Sequence, residues 1–126
     1  MDERLKALME YTKFHIGLYT TLCTLLVGVM GLEGLKGHVT PMLPYLFWTL
    51  IFFAIAGMFG GLIGSSLPEY TTWQDFAGAK LGPWFSPEAL RIPAPWVASA
   101  EHTAFWFGAV IALLGIIRTY GTLVPA

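Results

Sequence analysis

Glu101, His102 and His15 are the residues of this sequence whose types could do chemistry where they stand. Glu101 is the only acid between Ile92 and Ala126. An ionisable group in an apolar segment of this kind is costly, and so a functional candidate by default. Such a carboxyl can exchange a proton or border a pathway. It can also sit high enough to reach the headgroup zone and merely anchor its helix. His15 and His102 fall at similar depth in two apolar segments, and imidazoles so placed are the ligand type of a b-type haem or a metal ion. The helical wheel opposes that use: His15 lies nearly opposite Gly17, Thr21 and Thr24, and His102 is turned about 100° from Glu101. Interfacial histidine is therefore the default reading, with haem b the one cofactor to keep in view. No HExxH and no paired Glu-x-x-His motif occurs, so neither a zinc protease nor a di-iron site is supported. Cys23 stands alone, which excludes an internal disulfide framework, and mid-segment it behaves as a small hydrophobe. His38 falls in a short polar turn and is read as solvated.

The elements that must carry these residues follow from composition. Of 126 residues, 56% are hydrophobic and only 12% charged, and the mean hydropathy is +0.63. Soluble domains carry about 25% charged residues. Seven basic side chains face eight acidic ones, which excludes a basic nucleic-acid binder and an acidic tail protein. The charges cluster, six within residues 1 to 13 and five between Glu69 and Arg91. A bilayer core about 30 Å thick takes about 20 apolar residues in a helix. Residues 14–32, 43–67 and 97–117 fit. The expectation is an all-α integral membrane protein of one domain with three transmembrane helices. Residues 1–13 form the surface start of the first helix, where Leu5, Leu8, Met9 and Thr12 recur at helical spacing. Asp2, Glu3 and Glu10 in that segment argue against a cleaved signal peptide. The three-span pattern puts Arg4, Lys6, Lys13, Lys80 and Arg91 on one side and Lys36 and Arg118 on the other. The positive-inside rule then makes the N-terminus cytoplasmic, with a bacterial cytoplasmic membrane as the expected location.

The connection over 69–96 is patterned. Thr72 with Asp75 three residues on is a capping pair, Gly82-Pro83 ends the short helix that follows, and Ser86-Pro87-Glu88 starts a second. Trp73, Trp84 and Trp96 suit the headgroup zone. One or two short helices lying on the cytoplasmic surface are expected. The first connection, with Gly34, Gly37 and Pro41, reads as a tight turn.

Helices in lipid associate through small residues. The first segment carries Gly17, Thr21, Thr24, Gly28 and Gly31, the second Ala54, Gly57, Gly61 and Gly64, broadened by Ala56, Gly60 and Ser65, and the third Ala104, Gly108, Ala112, Gly115 and Thr119. Stripe-to-stripe packing predicts a compact bundle with aromatic outer faces, including Phe47, Trp48, Phe52, Phe53, Phe105, Trp106 and Phe107. Glu101 extends the third stripe, with Thr21 and Ser65 as its expected hydrogen-bond partners. Functionally, these features suit a structural or accessory subunit of a larger membrane complex, or a small interaction protein. Its partners would be the bilayer and other membrane subunits or further copies of itself. A homo-oligomeric channel or carrier with Glu101 near the pathway, and a redox subunit using His15 and His102, are the alternatives. No catalytic constellation is evident.

Overall fold

The computed structural model describes residues 1–31, 40–83 and 86–123. The first connection with Glu33, Lys36 and His38, and Trp84 in the second, lie outside the described residues. The chain is mostly helical. Three long helices, α1 (Glu3–Gly31), α2 (Leu43–Ser66) and α4 (Ala94–Leu123), are joined on one end by a small folded cap. The cap holds a one-turn helix α3 (Trp73–Ala77) and a two-residue antiparallel pairing of β1 (Lys80–Leu81) with β2 (Ile92–Pro93). Two segments, Leu43–Glu69 and Ala94–Thr119, are helices long and apolar enough to cross a membrane.

Each long helix buries a seam with alternating three- and four-residue spacing. In α1 it includes Leu5, Thr12, His15 and Tyr19, and in α2 it is Leu46, Thr49, Phe53, Ala56, Gly60 and Ile63. In α4 it is Ala94, Val97, Glu101, Ala104, Gly108 and Gly115. A 3.5-residue repeat keeps one face turned to its neighbours along the whole helix, the geometry of left-handed bundles. Val97 and Ile63 share one buried cluster at one end of α2 and Gly115 meets Tyr45 at the other, so α4 runs antiparallel to α2. Leu5 beside Ile63, and Tyr19 beside Phe53, set α1 antiparallel to α2 as well.

The phase of these seams departs from the small-residue stripes on two helices. Gly17 and Gly28 on α1, and Gly61 and Gly64 on α2, are exposed, and a Cβ built at any of them meets nothing within 4 Å. Gly57 is at the margin, 3.7 Å from the Tyr19 ring. On α2 the broadening members Ala56 and Gly60 lie on the seam, and on α4 the stripe itself does, where it receives large rings. A Cβ at Gly108 would stand 2.6 Å from the Phe53 ring, and one at Gly115 2.7 Å from Tyr45 Cβ. The helices therefore approach by ring into glycine, not by glycine against glycine. Phe53 and Phe105, expected on the outside, are core residues at 2% and 4% exposure, stacked at 5.8 Å. Phe47, Trp48, Trp106 and Phe107 do face outward.

The cap is built against the helix ends. Phe76 and Leu81 join Leu5, Ile63, Leu67, Ala94 and Val97 in one buried cluster. Thr72 Oγ1 accepts from the Asp75 backbone N–H at 3.2 Å, and its hydroxyl donates to Asp75 Oδ2 at 2.6 Å, closing the cap of α3. The second expected helix is a single 3-10 turn at Glu88–Leu90 that follows Pro87 without a side-chain cap. Asp2 sews the N-terminus to this unit. Its carboxylate accepts from Arg4 N at 2.9 Å, capping α1, and from Trp73 N at 3.0 Å, while its own N–H donates to Thr71 O at 2.9 Å.

Candidate functional site

One turn above the cap, α1 and α4 face each other across a gap filled by rings and one carboxylate. His15 takes its place on the α1 seam because Leu5, Thr12 and Tyr19 set that phase, and Glu101 holds the matching position on α4 between Val97 and Ala104. His15 Nδ1 and Glu101 Oε1 are 3.0 Å apart, and their side chains are 6% and 2% exposed. A carboxylate at that depth needs a hydrogen-bonding partner, since an unpaired one would be far more costly than the pair.

His102, one residue further on, falls outside the seam and is exposed, yet its ring is held from both edges. Its Nδ1 is hydrogen-bonded with the Tyr11 hydroxyl, and the Trp106 indole N–H donates to its Nε2 at 3.2 Å. An indole nitrogen only donates, so the lone pair of His102 sits on Nε2 and its N–H on Nδ1, with the Tyr11 oxygen accepting. Tyr11 also packs on His15 at 3.9 Å between ring centroids, and Phe105 covers His15 at 4.4 Å. The two imidazoles lie 5.9 Å apart and within 6° of parallel. Ligand atoms of His15, Glu101 and His102 all lie within 4.8 Å of one another.

The structure thus joins three residues that the helical wheel kept apart. His15 points into the bundle, correcting the expectation that it faces away. The polar partner of Glu101 is His15, not Thr21 or Ser65. Thr21 is exposed, and the Ser65 hydroxyl turns back to donate to Leu62 O at 3.2 Å. Tyr11 and Trp106 were not singled out by sequence. Their signal is spacing: Tyr11 precedes His15 by four residues and Trp106 follows His102 by four, which puts each on its histidine's face.

A porphyrin placed between the two imidazoles would have to displace Tyr11 or Phe105 from the faces of His15 and break hydrogen bonds that tie the rings to Glu101, Tyr11 and Trp106. The arrangement suits a compact occupant, a proton or a single ion, better than a haem b. Fold and site together define a helical bundle, two of whose helices are long and apolar enough to cross a membrane, with an interhelical His–Glu–His cluster. Comparison with protein-family models, with curated proteins and with solved structures finds no match for this chain.

Proposed function

We propose that this chain is a three-span integral membrane protein that works as an accessory or interaction subunit. In this reading it associates with copies of itself or with a larger membrane complex through the outer faces of α1 and α2. The observation that carries the reading is the position of Gly17, Gly28, Gly61 and Gly64 on open faces with nothing beside them. Small residues let helix backbones approach closely in lipid, and such faces are enriched where membrane helices meet. Among the described residues the bundle does not use them internally, which suits them to a second helix. Large apolar side chains such as Phe47, Trp48, Met58 and Ile117 cover the rest of the exterior and suit contact with lipid.

The same reading places α1 across the membrane with the other two long helices. The hydrogen bonds from Asp2 to the cap put the N-terminus and residues 69–96 at one end of the bundle. Five basic residues gather at that end against Lys36 and Arg118 elsewhere, which favours a cytoplasmic cap. Trp73 and Trp96 then lie at headgroup level. A channel or carrier reading is less favoured, because Glu101 is 2% exposed and turned onto His15, not onto an outer face that copies could share.

Extraction of the native protein into lipid nanodiscs, followed by mass measurement, tests the proposal. Particles heavier than one 13.9 kDa chain plus lipid are expected, and Gly61→Leu and Gly17→Leu should reduce them to single chains. Single chains from the wild type, or unchanged assemblies from both variants, would overturn it.

A further inference from the structure

We propose that His15, Glu101 and His102 bind one divalent first-row transition-metal ion of the Zn2+ or Fe2+ type between α1 and α4. This inference goes beyond the subunit reading and does not depend on it.

The donor set comes first. Two imidazoles and one carboxylate converge from two helices, with their ligand atoms within 4.8 Å of one another. Ligands about 2.0–2.2 Å from a common ion stand roughly 3–3.5 Å apart. The 3.0 Å between His15 Nδ1 and Glu101 Oε1 already matches one edge of such a polyhedron. Only His102 must close in, and to do so it must release one of the two ring hydrogen bonds, to Tyr11 or to Trp106, that hold it.

The surroundings are those of a supported site. Metal-binding imidazoles are oriented by outer hydrogen bonds and packing. Here one ring nitrogen of His102 can keep its hydrogen bond, to Tyr11 or to Trp106, while the other turns to the ion, and Tyr11 and Phe105 clamp His15. His15 and Glu101 are closed in by protein, while His102 is exposed.

The choice of ion follows from ligand type. Two nitrogens with one carboxylate oxygen select borderline divalent ions over Mg2+ and Ca2+, which prefer all-oxygen shells, and no thiol is among the three residues to favour Cu(I). Two histidines and one carboxylate also leave coordination positions open.

The experiment is a Co2+ titration of the whole protein in nanodiscs, read by visible d–d absorption, with Zn2+ as competitor. A saturable band at one ion per chain is expected, displaced by Zn2+ and not by excess Mg2+ or Ca2+. His102→Ala and Glu101→Gln should abolish the band, Tyr11→Phe should weaken binding about tenfold, and His38→Ala should leave it unchanged. Helical circular dichroism checks that each variant folds; should Glu101→Gln fail, the exposed His102→Ala carries the comparison. Absence of saturable Co2+ and Zn2+ binding by the wild type overturns the proposal, as does wild-type binding by folded His102→Ala.

Discussion

His15 Nδ1 and Glu101 Oε1 meet at 3.0 Å across 86 residues of sequence, tying the first long helix to the last. This pair determines how Glu101 variants behave. Glu101→Leu leaves the His15 nitrogen facing apolar atoms and should cost about 3 kcal/mol or more, the cost of breaking a buried pair. Glu101→Gln retains a hydrogen-bonding group and should cost less, about 1–3 kcal/mol. Thr21→Val and Ser65→Ala touch neither partner and should stay within about 0.5 kcal/mol. Unfolding in mild detergent ranks the four; equal midpoints for the Leu and Gln variants would show that the hydrogen bond to His15 contributes nothing.

Phe53 is the ring on which the α2–α4 contact turns. It stacks on Phe105, reaches Tyr19 at 6.1 Å, and occupies the space that Gly108 leaves open. Phe53→Ala should cost about 3–5 kcal/mol, the range for an emptied aromatic core site. Trp48→Ala, on an outward position, should be near neutral in the same assay. A comparable loss in both would mean that Trp48 is covered by something beyond the chain.

How far the sequence could be read depends on period and phase. The seven-residue period is legible, because small residues recur at three- and four-residue intervals on all three long helices. Its phase is not. On α1 the true seam runs through His15 and Tyr19, about 200° from Gly17 at 100° per residue. On α2 it runs through Phe53, Ala56 and Gly60, about 100° from Gly57 and Gly61. On α4 the two coincide. A stripe of glycines shows where helices can approach, but one facing a large ring and one facing lipid look alike in sequence. On α1 the phase bears directly on the site: a seam through Gly17 turns His15 outward, whereas the seam through Tyr19 brings it to Glu101. The cap was more legible. Thr72 and Asp75 are local signals, and local hydrogen bonds need no knowledge of what packs across the bundle.

Asp2 sets a pH dependence at the capped end of the bundle. Backbone N–H groups of Arg4, and then of Trp73, donate to its carboxylate and hold its pKa below the ordinary 3.8. A depressed carboxylate pKa means stabilisation that is fully present above the ordinary value and lost as pH falls through the lower folded value. Backbone amides of residues 3–6 and 73–76 should therefore exchange hydrogen faster below about pH 4 than intrinsic rates require. Asp2→Ala should show that faster exchange already at neutral pH. Identical protection in the variant would place the tether elsewhere, on the Asp2 N–H bond to Thr71 alone.

Gly108 and Gly61 separate packing within the bundle from packing outside it. At Gly108 even a methyl group would stand 2.6 Å from the Phe53 ring and 3.3 Å from Phe52 Cβ, distances that force the helices apart. Gly108→Ala should cost about 1–3 kcal/mol, the usual range for overpacking, and Gly108→Leu more. At Gly61 nothing among the described residues stands within 4 Å of a Cβ, so Gly61→Leu should leave the melting of the isolated chain in detergent unchanged. In nanodiscs the same variant should lose assembly, since a leucine there holds a neighbouring backbone away. The two measurements on one pair of variants give opposite patterns: Gly108→Ala weakens the fold of the single chain, and Gly61→Leu weakens only association. If Gly61→Leu lowers the detergent melting point as much as Gly108→Ala does, the α2 face assigned to a partner belongs instead to the bundle's own interior.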